Sequence, residues 1–423
     1  MYQQQTASPT SPAMDPATRR SLFIVLMSAA VLFVNNGFIV TGITAFDSEL
    51  LTRFHVSVGA LKLRDTFTFG TVAVAGPLAG YLLDRIGLKP LMVIGMLLMA
   101  IGMAMYSRAD DIYALYAIHI LFGLCLVTAG LFANVILVAA STNRHRGLSI
   151  GFIIAGSSFG QAIAPRINDL LAMNLGWRHA LLVDAVTPLL IIPGILLIFP
   201  RLKGSTSFES DDPNVPGVTY KAALTHRNFW LLSITAAIGF CVQLGVVTNM
   251  VLFVERDLRL GGAAASGAVF LLFISALTSQ IGAGFLADRF GSRIVHVTSL
   301  VIMACGCACL TMATPGWMWI GALLFGLGWG GNYSLIQLLT SNLFLGPAIG
   351  RIMGTIAVIE SVGAASGPYA IGALYDSAGT YSVPFGISTV LILLCVLAVR
   401  ALDLPPRRQA GAPAHAENPH EPY

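Results

Sequence analysis

The sequence predicts an all-α membrane protein with twelve transmembrane helices in two six-helix halves. Hydrophobic residues make up 56% of the 423 residues, and charged residues only 10%. The apolar residues form long blocks such as SLFIVLMSAAVLFVNNGFIV and LLVDAVTPLLIIPGILLIF, long enough for the roughly 18–20 residues that cross a bilayer core. The segment GYLLDRIG at 80–87 also recurs as GFLADRFG at 284–291, which indicates two related halves.

Charged or Pro/Gly-rich breaks divide the apolar sequence into twelve predicted spans. The first six are predicted at 21–45, 57–82, 90–107, 112–138, 148–170 and 179–199. The last six are predicted at 229–253, 265–287, 294–313, 317–340, 351–374 and 383–402.

The predicted organisation is a disordered cytoplasmic N-terminus (1–20), an N-terminal six-helix bundle (21–200), a cytoplasmic linker (201–228), a C-terminal six-helix bundle (229–402) and a cytoplasmic tail (403–423). Most Lys and Arg residues fall in the termini, the linker and the loops on the same side. The positive-inside rule therefore predicts cytoplasmic termini. We expect an integral protein of the bacterial inner membrane.

Composition argues against several other classes of protein. The six cysteines all lie inside apolar blocks, where small packing residues are a better interpretation than disulfides or metal ligands. The net charge of +4 is too small to indicate a nucleic-acid partner, and no nucleotide-binding loop is present. We expect no enzyme activity, no cofactor and no metal. The expected partners are a small-molecule substrate, protons and the lipid bilayer, and we expect a monomer.

The repeated motif supplies the candidate residues of a conformational latch. Both copies are predicted in the cytoplasmic turn between the second and third helices of a half. Glycine permits close approach of helices, and a carboxylate is favoured near a helix N-terminus. We expect these contacts to form when the halves close on this side and to break when they open. The candidates are Gly80, Asp84, Arg85, Gly87, Gly284, Asp288, Arg289 and Gly291.

These two copies resemble the signature loop of the major facilitator superfamily and its usually more degenerate second copy. With the twelve spans and the central linker, the resemblance covers nearly the whole chain. It implies the major facilitator fold and a latch that stabilises one alternating-access state. An ordinary basic loop would explain the Arg residues but not the repeated G-x3-D-R-x-G spacing.

Two longer segments resemble bacterial monocarboxylate and oxalate/formate-type porters. They are 131–163, with its R-x-R-G turn, and 350–385, with its Tyr-Asp-x-x-Gly-x-Tyr ending. The fifth span lacks the Gly-Pro-x-x-Gly-Gly motif of drug/proton antiporters, which disfavours an efflux function. The eighth span lacks the basic residue expected of oxalate/formate exchangers, which disfavours oxalate as the substrate.

Glu360 and His119 are the candidate proton-coupling residues. Glu360 lies nine residues into the eleventh span, about 14 Å of helix rise and so near the bilayer midplane. Gly363 and Gly367 share its face, which we expect to turn toward helices or a cavity. Lost hydration favours a neutral carboxyl group that can carry a proton. A structural hydrogen bond is the alternative for Glu360, and a satisfied neutral ring is the alternative for His119.

Arg166 and Arg64 are candidate substrate-binding residues. A guanidinium binds a carboxylate in a bidentate manner, so a cationic vestibule near the outer ends of the second and fifth spans would suit an anion. The alternatives are local i, i+3 pairs, Arg166 with Asp169 and Lys62 with Asp65, or side chains that extend to the membrane interface.

Uncharged polar residues near mid-span complete the predicted substrate site. Asn36, Gln161, Tyr333 and Gln337 carry groups that can hydrogen-bond a small polar solute. Hydrogen bonds between helices are the alternative role for each of them.

The sequence therefore predicts a secondary transporter for a small organic anion, a monocarboxylate, coupled to protons. Efflux of a hydrophobic or cationic compound by proton antiport is the alternative within transport. A membrane sensor on the same fold is a further alternative, which the short C-terminal tail disfavours.

Overall fold

The computed structural model describes residues 16–142, 146–200, 218–344 and 348–403, which form fifteen α-helices and no strand. The helices of the N-terminal half are α1 (Pro16–Asn36), α2 (Asp47–Phe54), α3 (Val58–Ile86), α4 (Leu88–Tyr106), α5 (Ile112–Ala129), α6 (Leu131–Ser141), α7 (Arg146–Leu175) and α8 (Trp177–Ile198). Those of the C-terminal half are α9 (Tyr220–Thr225), α10 (Arg227–Leu252), α11 (Gly262–Phe290), α12 (Ser292–Thr311), α13 (Pro315–Leu343), α14 (Ile349–Ala378) and α15 (Ser382–Arg400).

These helices build the twelve membrane spans that the sequence predicts. A π-helical turn (Gly37–Thr41) and a 3-10 turn (Gly42–Phe46) join α1 to α2 in the first span, and α5 and α6 together form the fourth. Ten helical segments of the described residues are long and apolar enough to cross a membrane. The two remaining spans, the second and the tenth, are the 29-residue helices α3 and α13. The predicted all-α architecture of twelve spans is confirmed.

The two halves repeat the same helix lengths. Helices α3 and α11 both have 29 residues and begin 204 positions apart. Helices α7 and α14 both have 30 residues and begin 203 positions apart. The glycines that follow all four helices have positive φ, at Gly87, Gly176, Gly291 and Gly379. The internal duplication therefore extends to the backbone conformation at Gly87 and Gly291, with ψ of 160° and 138°, whereas Gly176 and Gly379 share only the positive φ, with ψ of 153° and 5°.

Some helix ends differ from the predicted boundaries. Helix α1 begins at Pro16, inside the segment predicted to be disordered. Proline is favoured at the first helical position, and the following Ala and Arg residues are good helix formers. Helix α9 lies within the predicted linker. Residues 1–15, 201–217 and 404–423 of the predicted termini and linker lie outside the described residues.

The break between α5 and α6 shows how a broken helix is tolerated inside this protein. The backbone is extended at Gly130, so nearby carbonyl groups lose their helical partners. The amide of Asn134 donates to the carbonyl oxygens of Ala129 and Gly130, at 2.9 Å each. The amide of Asn35 donates to the same Ala129 oxygen at 2.9 Å. Side chains thus satisfy backbone groups that no water reaches.

Two pairs of helices make the most extensive contacts between the halves among the described residues. Helix α3 packs against α14, and α7 packs against α11. The halves leave a cavity between them, lined by residues of both.

Candidate functional site

The cavity between the halves has a volume of about 250 Å³. This is slightly below the range of about 300–1,000 Å³ that is usual for drug-sized ligands, so it suits a small solute. Apolar side chains such as Val40, Phe69, Phe132, Phe240 and Leu244 form much of its wall. The polar lining residues are Asn36, Ser157, Ser158 and Gln161 from the N-terminal half and Gln243, Gln280, Trp329, Glu360 and Ser361 from the C-terminal half.

Glu360 is the one ionisable side chain among the described residues that line this cavity. It is only 6% exposed, and its Oε1 has no hydrogen-bond partner among the described residues. The glycines on its helix face pack against α10, because a Cβ atom on Gly363 or Gly367 would collide with a backbone carbonyl there. Close packing of α14 on α10 therefore fixes Glu360 at the cavity wall.

Asn36 and Gln161 reach the same cavity from the first and fifth spans. Asn36 is the last residue of α1, directly before the π-helical turn. A Cβ atom on Gly37 would lie 2.9 Å from the Gly160 carbonyl carbon, so the π-helical turn and α7 approach closely here. The Thr41 hydroxyl also donates to the backbone oxygen of Gln161 at 2.9 Å. The structure therefore brings together Asn36, Gln161 and Glu360, three of the predicted site residues.

The predicted site residues of α13 are not both described. Gln337 is half-buried on α13 and is not among the described residues of the cavity wall. The side chain of Tyr333 lies outside what the structure describes. Helix α13 instead contributes Trp329, which packs edge-to-face on Phe273 at 5.0 Å between ring centroids.

Arg64 lies in a buried ion cluster away from the cavity wall. Its Nη2 donates to Asp47 Oδ1 at 2.5 Å, and its Nη1 donates to the Tyr106 hydroxyl at 2.9 Å. Lys62 also binds Asp47 and donates to the backbone oxygen of Thr248 in the other half. Lys62 therefore does not form the local pair with Asp65 that the sequence suggested as an alternative.

His119 belongs to the same buried cluster. Its Nδ1 lies 2.7 Å from the Thr68 hydroxyl and 3.9 Å from Asp65 Oδ1. The ring packs between Tyr106 and Phe122, with centroid distances of 5.8 and 5.3 Å. His119 thus lies beside a carboxylate, but not on the cavity wall with Glu360.

Arg166 makes the local pair that the sequence suggested as an alternative to substrate binding. Its Nη1 lies 2.7 Å from Asp169 Oδ2, and 44% of its side chain is exposed. The structure does not bring Arg166 to the cavity wall.

The repeated latch motif has the same backbone form in both halves. Gly87 (φ 85°) and Gly291 (φ 95°) end α3 and α11, and their N–H groups donate to Leu83 O and Ala287 O at 2.9 Å each. The guanidinium groups of Arg85 and Arg289 lie over the rings of Tyr81 and Phe290. Among the described residues, no neighbour lies within 4 Å of a Cβ atom built on Gly284 or Gly291. The positive φ, rather than close helix approach, therefore explains Gly291. The surroundings of Gly80 and the side chain of Asp84 lie outside what the structure describes.

Sequence reasoning missed Asp47 and Gln280. Asp47 lies just beyond the predicted end of the first span, so it did not count as a charge within the membrane. One signal for a buried acidic partner was available, because two cations, Lys62 and Arg64, lie close together in an apolar span. Gln280 lies in the eighth span, where only basic residues were sought.

Comparison with known proteins agrees with this architecture. The family model described as Major Facilitator Superfamily matches residues 21–344 and 256–422. An MFS-type transporter of Aspergillus fumigatus is 26% identical over 394 residues, which cover 87% of this chain and 89% of the relative. Human monocarboxylate transporter 2 is 23% identical over 405 residues, 88% of this chain and 84% of the relative. An agnestins efflux protein of Paecilomyces divaricatus is 26% identical over 379 residues, 85% and 83% of the two chains.

Solved structures share the fold at low sequence identity. A mutant of the nucleoside transporter NupG superimposes with a TM-score of 0.74 at 13% identity, covering 90% of this chain and 99% of that one. A bacterial homologue of the human lysosomal transporter Spinster superimposes with a TM-score of 0.72 at 16% identity, covering 92% and 97%. At such identities the likeness concerns the fold alone.

Proposed function

Because the chain belongs to the major facilitator superfamily, we propose that it is a secondary active transporter that couples movement of a small organic solute to protons. The chain is a transporter and not an enzyme. The observation that carries the proposal is a cavity between two six-helix halves with one buried carboxyl group, Glu360, in its wall. Rocking of one half against the other would expose this cavity to each side in turn.

Glu360 carries the coupled proton in this proposal. A carboxylate that is deeply buried without a cation is costly, so burial favours the protonated form. No Lys, Arg or His is found among the described residues of the cavity wall. Opening of the cavity hydrates Glu360 and allows the proton to leave on that side.

A neutral or cationic solute fits the charge of this cavity best. The ionised Glu360 attracts a cation, and amide groups of Asn36, Gln161, Gln243 and Gln280 can hydrogen-bond it. Proton and solute then compete for one carboxylate, and the result is antiport. The similarity to the agnestins efflux protein supports antiport that exports the solute.

A monocarboxylate carried with a proton is the second candidate. The relatives that are monocarboxylate transporters support it. Here the protonated Glu360 donates a hydrogen bond to the substrate carboxylate, whereas the ionised form repels it, so the result is symport. The half-exposed Arg166 would attract the anion. Arg64 would do the same in a state of the protein in which water reaches it.

Location, orientation and assembly follow from the same proposal. We place the protein in the bacterial inner membrane with both termini in the cytoplasm, as the basic loops indicate. The cavity lies within one chain, which supports function as a monomer. The repeated motif of Asp84 and Asp288 acts as the conformational latch.

Glu360→Gln in proteoliposomes tests the proposal, with uptake of labelled amines and labelled monocarboxylates measured with and without a pH gradient. For antiport of a cation, the variant should lose uptake of the cation at every pH. For symport of an anion, it should lose accumulation driven by the pH gradient but keep exchange at equal pH.

The matched control is Glu49→Gln, the same change at an exposed residue of α2. It should behave like the unmodified protein. Accumulation by Glu360→Gln with the original pH dependence would remove Glu360 from proton coupling and leave His119 as the next candidate.

A further inference from the structure

A carboxylate of the C-terminal half binds the start of a helix in the N-terminal half. Asp376, near the end of α14, accepts hydrogen bonds from the backbone N–H groups of Val58 (2.9 Å to Oδ1) and Gly59 (2.7 Å to Oδ2). These are the first two residues of α3. We call this contact the clasp.

The chemistry of a helix start explains the contact. The first N–H groups of an α-helix have no partner within the helix, and its N-terminus carries a partial positive charge. The side-chain hydroxyl of Ser57, the N-cap of α3, accepts from the N–H of Ala60 at 3.2 Å, and neither Val58 nor Gly59 donates to it. The N–H groups of Val58 and Gly59 are therefore available, and an ionised carboxylate is the strongest acceptor for them.

Two glycines bring the backbones close enough for the clasp. A Cβ atom on Gly59 would lie 2.9 Å from Asp376 Oδ2 and 3.0 Å from the Ala373 Cα. A Cβ atom on Gly372 would lie 3.0 Å from the Gly59 Cα. Side chains at either position would push α3 and α14 apart.

The clasp lies at one end of a continuous face of α3. Along this face, Lys62 donates to the carbonyl oxygen of Thr248, and the Thr66 hydroxyl donates to Ala365 O at 2.6 Å. Phe69, one turn further on, lines the central cavity. The same face of α3 therefore leads from the clasp to the cavity.

We infer that Asp376 is a gating residue, whose bonds to the start of α3 close the cavity at this end and are released when the halves open there. This role depends on neither the identity of the solute nor the protonation of Glu360. Opening leaves no polar group buried without a partner, because water solvates both the carboxylate and the two N–H groups. Pro368 interrupts the hydrogen bonds of α14 between the cavity and Asp376, so the helix can bend between them.

The test measures access to the cavity from each side of the membrane. Ala364, on the cavity wall, is replaced by Cys in the full-length chain as a reporter. Labelling by a membrane-impermeant maleimide is then followed in intact cells and in inside-out vesicles, and the same chain without the reporter provides the background. A membrane-permeant maleimide shows that the reporter is reactive.

Asp376→Asn and Asp376→Ala should raise labelling from the side on which α3 begins. We expect an increase of about tenfold, corresponding to about 1.4 kcal/mol in the gating equilibrium. Gly59→Ala should act in the same direction without any change in charge, because it separates the backbones. It therefore tests the clasp even if the Asp376 variants fail to fold.

Asp257→Asn is the matched control. This carboxylate also binds a backbone N–H, that of Tyr381 at 2.7 Å, but within its own half. Its labelling should match that of the unmodified protein. Labelling of the folded Asp376 and Gly59 variants within twofold of that protein would overturn the proposal, as would an equal rise in Asp257→Asn. Neither result would bear on proton coupling by Glu360, which is measured by transport.

Discussion

Asp47→Asn removes the one charge that Lys62 and Arg64 share. Asp47 Oδ2 binds the Lys62 ammonium, and Oδ1 binds the Arg64 guanidinium at 2.5 Å. All three side chains are fully buried. Asparagine keeps the shape of aspartate, so the variant tests the charge rather than the packing.

The expected loss of stability follows from the uncompensated cations. Removal of one partner from a buried ion pair costs about 3–5 kcal/mol, because the other charge remains buried. Asp65 Oδ1 lies 3.7 Å from Arg64 Nε and compensates that cation in part. We therefore expect the lower end of the range, about 3 kcal/mol, which is a large part of the stability of about 5–15 kcal/mol usual for folded proteins.

The assay is reversible unfolding of the purified protein in mixed micelles as the denaturing detergent is increased. Asp110→Asn is the matched control, because Asp110 is 75% exposed and binds Arg178 at 2.9 Å and Arg53 at 3.7 Å. Exposed pairs of this kind contribute about 0–1 kcal/mol.

Equal free energies of unfolding for the two variants would refute the reasoning. That result would mean that Asp47 does not stabilise the buried charges of Lys62 and Arg64 in the folded state. Lys62→Met in the Asp47→Asn background supplies a further check, because removal of the uncompensated ammonium should restore part of the lost stability.

Three further predictions concern the repeated motif. Gly291→Ala should lower the free energy of unfolding by about 1–3 kcal/mol, since φ of 95° with ψ of 138° is strained for any residue with a Cβ. Gly284→Ala, inside α11 and with no described residue within 4 Å of the added Cβ atom, should be neutral or stabilising in the same unfolding assay, and a larger loss there would contradict the conformational explanation. Asp84→Asn should insert normally but transport more slowly, because the latch loses its charge. Uptake at the unmodified rate, at equal expression, would argue against a latch.

The number of spans and the duplication were predictable because each depends on properties local in the chain. A bilayer requires a minimum apolar length, so the hydropathy of consecutive residues reveals each span. The turns that contain Gly87 and Gly291 were predictable for a similar reason, since the same short motif precedes both. It was predictable that Glu360 faces either helices or a cavity, because its own helix carries the small residues that allow close packing on that face.

The role of Arg64 could not be predicted in the same way. Its partner Asp47 lies 17 positions earlier, across the turn between α2 and α3. A charged residue in an apolar span must find a partner or a water-filled cavity, and the sequence does not indicate which. Because α3 packs against α2 in the folded protein, Arg64 binds a partner, Asp47, rather than facing a water-filled cavity.

The linear pattern of hydropathy and small residues thus determines which segments cross the membrane and which helix faces pack closely, because both depend on near neighbours along the chain. The clasp and the composition of the cavity depend on contacts between segments distant in sequence. Asp376 and Val58 are 318 positions apart, and no local pattern at either site indicates the other. Such contacts arise when the two halves dock, because docking alone brings a carboxylate of one half to the unpartnered N–H groups of the other.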